Sequence, residues 1–129
     1  MIDVVAAIIK QDDLIYCFKK GKAKFDYLSN KFEFPGGKVE ANEDHRQALK
    51  REIDEELKTN IEVDQHLLTV EHDYPDFSIR LHFYECKSLG PNLQLTEHVE
   101  LKRLPLSQLR DIEWLPADIP AVDYLINNA

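Results

Sequence analysis

The chain has 129 residues, with 24 acidic and 16 basic side chains and a formal charge of −8. That length suits one domain, residues 1–129, and such a charge repels duplex DNA unless a basic face is set apart. With 43% apolar residues the body is globular, and no stretch approaches the length and apolarity of a membrane span.

Residues 2–10, IDVVAAIIK, are rich in β-branched side chains, and LIYCFK follows at 14–19 after the polar turn Gln11-Asp12-Asp13. This is a strand-turn-strand pattern. The opening residues lack a basic region and an apolar run of signal length, so the expected location is cytoplasmic. Cys17 and Cys86 sit in apolar runs outside any CxxC pair, which predicts buried free thiols. Residues 20–31 are polar and read as a loop. Their lysines, Lys20, Lys22 and Lys24, with Lys19 and Lys31 at the edges, suit a small anionic ligand or simply face solvent. FEFPGGKVE then predicts two short strands split by Pro35-Gly36-Gly37.

Residues 42–58 form the clearest helix, with Asn42 as its cap. Leu49, Ile53 and Leu57 recur at i, i+4, i+8 and give one apolar stripe. Glu52 and Glu56 lie beside that stripe, and Glu55 is one step further round. Three carboxylates on adjoining turns repel one another, and a hard divalent cation removes that penalty. Arg51 is placed to hold one carboxylate in a bidentate pair. Glycines at 36 and 37 permit close backbone approach to a ligand.

Two longer strands follow at 61–71 and 77–87 around the turn Asp73-Tyr74-Pro75-Asp76. A further strand is expected at 99–104, then a helical turn from Leu106 to Leu109 with Ser107 and Gln108 exposed. The tail PADIPAVDYLINN predicts a final helix packed through Ile119, Val122 and Ile126. His66, His72, His82 and His98 lack zinc-like spacing, and His45 reads as a surface histidine.

The segment from Gly37 to Glu56 resembles the Nudix box: Gly, five residues, Glu, seven residues, Arg-Glu, an apolar residue, any residue, Glu-Glu. Gly37, Glu43, Arg51, Glu52, Ile53, Glu55 and Glu56 stand at the required spacing. Such agreement arises by chance on the order of once in a million or less at typical residue frequencies. The box normally ends in Gly and an apolar residue, where this chain has Lys58 and Thr59. Asn60 is then expected to supply the left-handed exit from the helix.

The resemblance implies an α+β protein of α/β/α sandwich type: the Nudix fold, a mixed curved sheet with a catalytic loop-helix and a C-terminal helix. It also implies metal-dependent hydrolysis of a nucleoside diphosphate linkage, with Mg²⁺ as cofactor and Mn²⁺ as a substitute. By resemblance the Gly36 carbonyl, Glu52, Glu55, Glu56 and Glu97 are metal ligands, and Glu52 or Glu97 is the base. Arg51 orients a glutamate and Glu43 supports the loop-helix joint. KFEFPGGKVE is similar to MutT-like nucleoside triphosphate pyrophosphohydrolases, and LPADIPAVDYL resembles the subgroup acting on CTP and on oxidised or methylated nucleotides. Lys20 is then a phosphate contact, and Phe34 a stacking platform or a core residue. Asp118 is a nucleobase contact or the cap of the last helix. Trp114 reads as a packing residue. The expected partner is a nucleotide, with no duplex nucleic acid and no membrane, and the chain acts as a monomer or homodimer. Nucleotide-sugars, dinucleotide polyphosphates and capped RNA stay open as substrates of the same chemistry, as does a non-catalytic nucleotide-binding module.

Overall fold

The computed structural model describes residues 1–90 and 92–129. Strands β1 (Ile2–Gln11) and β2 (Leu14–Lys20) form a hairpin whose turn residues, Asp12 and Asp13, both have positive φ. That geometry matches the right-handed twist of the flanking strands, and Asp tolerates it better than most residues. The short strands β3 (Phe32–Glu33) and β4 (Gly36–Lys38) precede helix α1 (His45–Leu57). Strands β5 (Ile61–Asp73) and β6 (Ser78–Ser88) form a long hairpin, and β7 (His98–Leu104) pairs with β2. Two short 3-10 helices, Leu106–Asp111 and Pro116–Asp118, lead into α2 (Ile119–Asn127).

The sheet runs β3-β2-β1-β6-β5 and is mixed: β1 lies parallel to β6, and the other pairings are antiparallel. β1 pairs with β2 only at Lys10 and Gln11 and pairs instead with β4 along Val4–Ala6. The sheet therefore opens between β1 and β2. The Gly36-Gly37 segment enters that opening and carries the chain to α1.

Both faces of β1 are covered, which explains its unbroken apolar run. Val5, Ala7 and Ile9 face α1 and pack with Leu49, Ile53 and Leu57, the stripe read from the sequence. Ala6 and Ile8 face the other layer, where Ala121, Val122 and Leu125 of α2 are buried. The α/β/α sandwich is thus one core on each side of a sheet. Both cysteines are buried free thiols, and among the described residues no helix is long and apolar enough to cross a membrane.

Three local expectations are corrected. Asn42 does not cap α1; it sits at φ 67° in the turn before it. Asp44 is the cap, in a reciprocal box with Gln47: the Asp44 side chain accepts from Gln47 N at 2.8 Å, and Gln47 Oε1 accepts from Asp44 N at 2.9 Å. A partner three residues on satisfies two amides at once, which Asn42 cannot do. Asn60 is not the left-handed exit. Lys58, the residue standing where the box has Gly, takes that conformation itself at φ 53°. Ile119 is not on the buried stripe of α2 but is 45% exposed, because the preceding turn rotates the packed face onto Ala121, Val122 and Leu125.

Candidate active site

Helix α1 turns its apolar stripe to the sheet, which leaves Arg51, Glu52 and Glu55 on its outer flank and Glu56 at the edge of the core. Arg51 is the hub. Its Nε and Nη2 donate to the two oxygens of Glu43 at 3.1 and 2.6 Å. Its Nη1 donates to Glu52 Oε1 at 2.9 Å, and Nη2 also donates to the Lys38 carbonyl at 3.0 Å. The bidentate grip falls on Glu43, and the guanidinium holds the Glu43 carboxyl below its ordinary range. The loop before α1 is thereby tied to the middle of the helix. Glu55 lies 3.5 Å from Nη1 on the exposed side.

Both glycines are required by close approach, since neither has positive φ. A Cβ at Gly36 would stand 1.9 Å from the Val5 carbonyl oxygen, so no larger residue allows the β1–β4 pairing. A Cβ at Gly37 would fall 2.3 to 2.6 Å from the Glu52 carboxyl atoms. Glu52 occupies the space that Gly37 leaves open.

Glu56 is 5% exposed, and its Oε2 is buried without a partner. Burial, then the neighbouring charges of Glu33, Glu97 and Glu52, push its carboxyl up to about 9, against a smaller opposing effect of Lys20. Glu52 is raised by burial, which outweighs the Arg51 contact. Glu97 reaches this group from the loop before β7, and that loop is docked on the end of α1. Gln94 N donates to the Leu57 carbonyl at 2.7 Å, and Thr96 N and Oγ1 donate to the Glu56 carbonyl at 3.1 and 2.8 Å. The last carbonyls of a helix lack intrahelical partners. Here the Glu97 loop supplies the donors, and Glu97 is placed as a consequence.

Next to the carboxylates lies a cleft of about 180 Å³ between β1, β6 and the Pro116–Asp118 turn. Its walls include Phe34, Tyr74 and Leu81, and its polar groups include Lys20, Glu33 and Asp118. Asp118 is 3% exposed, and its Oδ1 has no hydrogen-bond partner. Burial first, then the Glu33 charge, raises its carboxyl well above the ordinary aspartate value. Its side chain makes no capping bond to α2, so the cap reading does not hold. Phe34 is both wall and core: it meets Phe83 edge-on at 6.0 Å and Trp114 at 4.7 Å. Trp114 packs beneath it and donates from Nε1 to the Leu109 carbonyl at 2.7 Å.

The chemistry of these groups fits a hard divalent cation. Glu52, Glu56 and Glu97 offer only oxygen donors, and one of those oxygens is buried and unpartnered. Among the described residues no three His, Cys, Asp or Glu side chains form a coordination group as they stand. The fit therefore rests on donor type and on the mutual repulsion of the carboxylates.

Residues 4–123 match the NUDIX domain family. This chain belongs to that family. It is 35% identical over 123 residues to the CTP pyrophosphohydrolase of Escherichia coli strain K12, covering 95% of this chain and 90% of that protein. The Putative 8-oxo-dGTP diphosphatase 2 of Mycobacterium tuberculosis strain H37Rv is 35% identical over 95 residues, covering 70% of this chain and 65% of that one. Among solved structures, the Escherichia coli ORF135 protein superposes with a TM-score of 0.83 at 33% identity, covering 98% of this chain and 89% of that one. The MutT protein of methicillin resistant Staphylococcus aureus 252 superposes with a TM-score of 0.77 at 39% identity, covering 99% and 97%. The Nudix chain described here is thus a MutT-like hydrolase, and its box lies on the loop and helix where the carboxylates gather.

Of the residues singled out in the sequence, Lys20, Phe34, Gly36 and Asp118 line one cleft. Glu52, Glu56 and Glu97 form the adjoining acidic group, and Glu43 and Glu55 stand outside it on Arg51. Two residues of the site were not singled out. Glu33 lines the cleft and accepts from His98 Nε2 at 2.9 Å, if that ring nitrogen carries the proton. Tyr74 forms part of the wall, and its hydroxyl accepts from Ala117 N at 3.1 Å. An acid between two apolar aromatics, as in Phe32-Glu33-Phe34, was the available signal for Glu33. A turn position gave none for Tyr74.

Proposed function

We propose that this Nudix hydrolase cleaves a nucleoside triphosphate to a nucleoside monophosphate and pyrophosphate, with a cytosine nucleotide as the preferred substrate. The observation that carries this reading is the junction of an acid-floored cleft, ending at Asp118, with the Glu52–Glu56–Glu97 group. The cleft is of a size and polarity to hold a base, and Lys20 and Glu33 of its lining are close enough to the carboxylate group to act on the charge of Glu56.

Gly36, Glu52, Glu55, Glu56 and Glu97 would hold Mg²⁺, with Mn²⁺ able to replace it. The bound ion would neutralise phosphate charge and lower the pKa of the attacking water. Glu97 takes the role of base, accepting the water proton on its carboxylate. Glu52 has one oxygen committed to Arg51, whereas Glu97 has no hydrogen bond or ion pair among the described residues. Lys20 contacts phosphate, and Phe34 and Tyr74 flank the base.

Asp118 reads the base. Burial favours the neutral form of this carboxyl, which both donates and accepts. Cytosine presents an amino donor beside a ring-nitrogen acceptor, which a neutral carboxyl satisfies in a paired contact. Uracil can pair with the same carboxyl through its N–H and a carbonyl, but that carbonyl is a weaker acceptor than the basic ring nitrogen of cytosine. The 35% identity to a CTP pyrophosphohydrolase across most of both chains supports the same choice. Oxidised dGTP is the second reading, favoured by the shorter matches to 8-oxo-dGTP diphosphatases. The test is steady-state hydrolysis of CTP, dCTP, 5-methyl-dCTP, 8-oxo-dGTP, dATP and UTP with Mg²⁺, scoring pyrophosphate against orthophosphate. A cytosine nucleotide should rank first and release pyrophosphate. Release of orthophosphate, or UTP as the best substrate, overturns the reading.

A further inference from the structure

Beside the base cleft lies a second cleft of about 300 Å³, whose lining includes Lys20, Lys22, Lys24, Glu33, Glu97 and His98. Lys20 and Glu33 line both clefts, so the two meet at those residues. Glu97 lines only the second, and it belongs to the acidic group around Glu56. A molecule seated against Asp118 and reaching past Glu56 therefore arrives at Lys22 and Lys24.

The charge pattern is local and unusual for this chain. The protein carries −8 overall, yet three lysines face two glutamates in this cleft. Lys10, Lys87 and Lys102 pair with carboxylates on their own surfaces. Among the described residues none of Lys19, Lys20, Lys22, Lys24 and Lys31 does so. Lys19 and Lys24 lie over aromatic rings, and Lys31 donates to the Tyr27 carbonyl. Lys20 and Lys22 have no protein partner among the described residues.

The loop that carries these lysines is well braced. Asn30 N donates to the Gly21 carbonyl at 3.2 Å, and Ala23 N donates to Ser29 Oγ at 2.8 Å. Phe25 stacks on Tyr27 and on Phe77, and the Tyr27 hydroxyl donates to Asp76 Oδ2 at 2.8 Å across to the β5–β6 turn. A side chain at Gly21 would meet Val99 at 2.9 Å. The backbone under Lys22 and Lys24 is held in place, while the Lys22 ammonium has no protein partner among the described residues and that of Lys24 is held only by the Phe25 ring face.

We propose that this lysine cleft is a diphosphate subsite, which takes the terminal two phosphates of the substrate and then the pyrophosphate product. The inference rests on the triphosphate reading above and narrows it to substrates with a free diphosphate end. Water adds to one phosphorus flanking the α–β bridging oxygen, the bond from that phosphorus to the bridging oxygen breaks, and the electron pair stays on that oxygen. A diphosphate is one product, and a proton is released to solvent. Lysines at the terminal phosphate favour triphosphates over diphosphates and make pyrophosphate a product inhibitor, an effect that salt weakens.

The test compares the wild type with Lys22→Ser/Lys24→Ser and with Lys22→Arg/Lys24→Arg. The readouts are kcat/KM for dCTP and dCDP, and inhibition by inorganic pyrophosphate and by dCMP. The serine pair should lower the dCTP-to-dCDP ratio by about tenfold or more, mainly through KM. It should weaken pyrophosphate inhibition relative to dCMP inhibition to a similar degree, and the arginine pair should restore both. An unchanged ratio, or equal losses for dCTP and dCDP, overturns the subsite. A wild type that turns over neither nucleotide refutes the hydrolase reading instead. Calorimetric titration of inorganic pyrophosphate with Mg²⁺ then decides the subsite alone: weaker binding by the serine pair supports it, and equal binding overturns it.

Discussion

The two halves of the site are built in opposite ways. The carboxylate half comes from one loop and one helix. Gly37, Glu43, Arg51, Glu52, Glu55 and Glu56 lie within 20 consecutive residues, and Arg51 ties loop to helix. The cleft half is assembled from Lys20, Glu33, Phe34, Tyr74 and Asp118, on four different parts of the chain. A contiguous unit can be kept whole while the surroundings change. A dispersed wall can be altered one residue at a time without touching the helix. On the proposed function the difference makes bond cleavage and base choice separable, and substitutions in each half should have distinct signatures.

The largest effect is expected from Glu56→Gln. It removes a charge from the proposed metal site while keeping volume and helix propensity. Turnover should fall roughly a thousandfold or more. The unfolding midpoint in EDTA should not fall, since the wild-type carboxyl is buried with an unpartnered oxygen. Differential scanning fluorimetry beside the kinetic assay checks both. A variant that melts well below wild type would show that Glu56 is structural.

Arg51→Lys should come next, with kcat lower by about 10- to 100-fold. Lysine keeps the charge and loses the fork that holds Glu43 and Glu52 together. Substrate ranking should not change, because the proposed base cleft is untouched. Altered ranking would mean that the two halves are coupled.

Asp118→Asn tests the other half through pH. Burial holds the Asp118 carboxyl above its unfolded value of 3.8. Its contribution to stability is therefore complete below that value and is lost as pH rises towards the folded-state value. Asparagine removes this dependence. The variant should melt higher than wild type at pH 8, and the gap should close as pH approaches 4. Parallel melting curves at all pH values would show that Asp118 titrates normally.

The smallest effect is expected at Lys58. A non-glycine residue in the left-handed region costs about 1 kcal/mol, and glycine adds unfolded-state entropy that offsets part of the gain. Lys58→Gly should stabilise the protein by about 0.5 kcal/mol with turnover unchanged. Loss of stability would mean that the Lys58 side chain has a role of its own.

The contrast between halves also explains what the sequence made legible. Helical periodicity exposes Leu49, Ile53 and Leu57 as the packed stripe and so sets Glu52 and Glu56 beside it. Strand alternation and apolar runs likewise mark β1, β2, β5 and β6. The cap was missed because Asn42 and Asp44 are both competent, and only the partner Gln47, three residues after Asp44, decides between them. The exit at Lys58 was missed because αL geometry is costly for lysine. It is tolerated where the Gln94–Thr96 loop anchors the end of the helix. Tyr74 and Glu33 join the cleft only through the β5–β6 turn and the β2–β3 pairing, which are long-range contacts that local pattern does not encode. Asp118 was visible by resemblance, but its burial, which favours the neutral carboxyl, was not.

The central claim, one site with separable cleavage and base-reading halves, is tested most directly by measuring kcat and KM for dCTP and UTP on three proteins: wild type, Glu56→Gln and Asp118→Ala. Glu56→Gln should lose kcat for both nucleotides by the same large factor and keep the wild-type preference for dCTP. Asp118→Ala should reduce that preference by about tenfold or more, mostly through KM, while kcat for UTP stays within a few fold of wild type. An active Glu56→Gln enzyme, or an Asp118→Ala enzyme that keeps the full preference for dCTP, would contradict it.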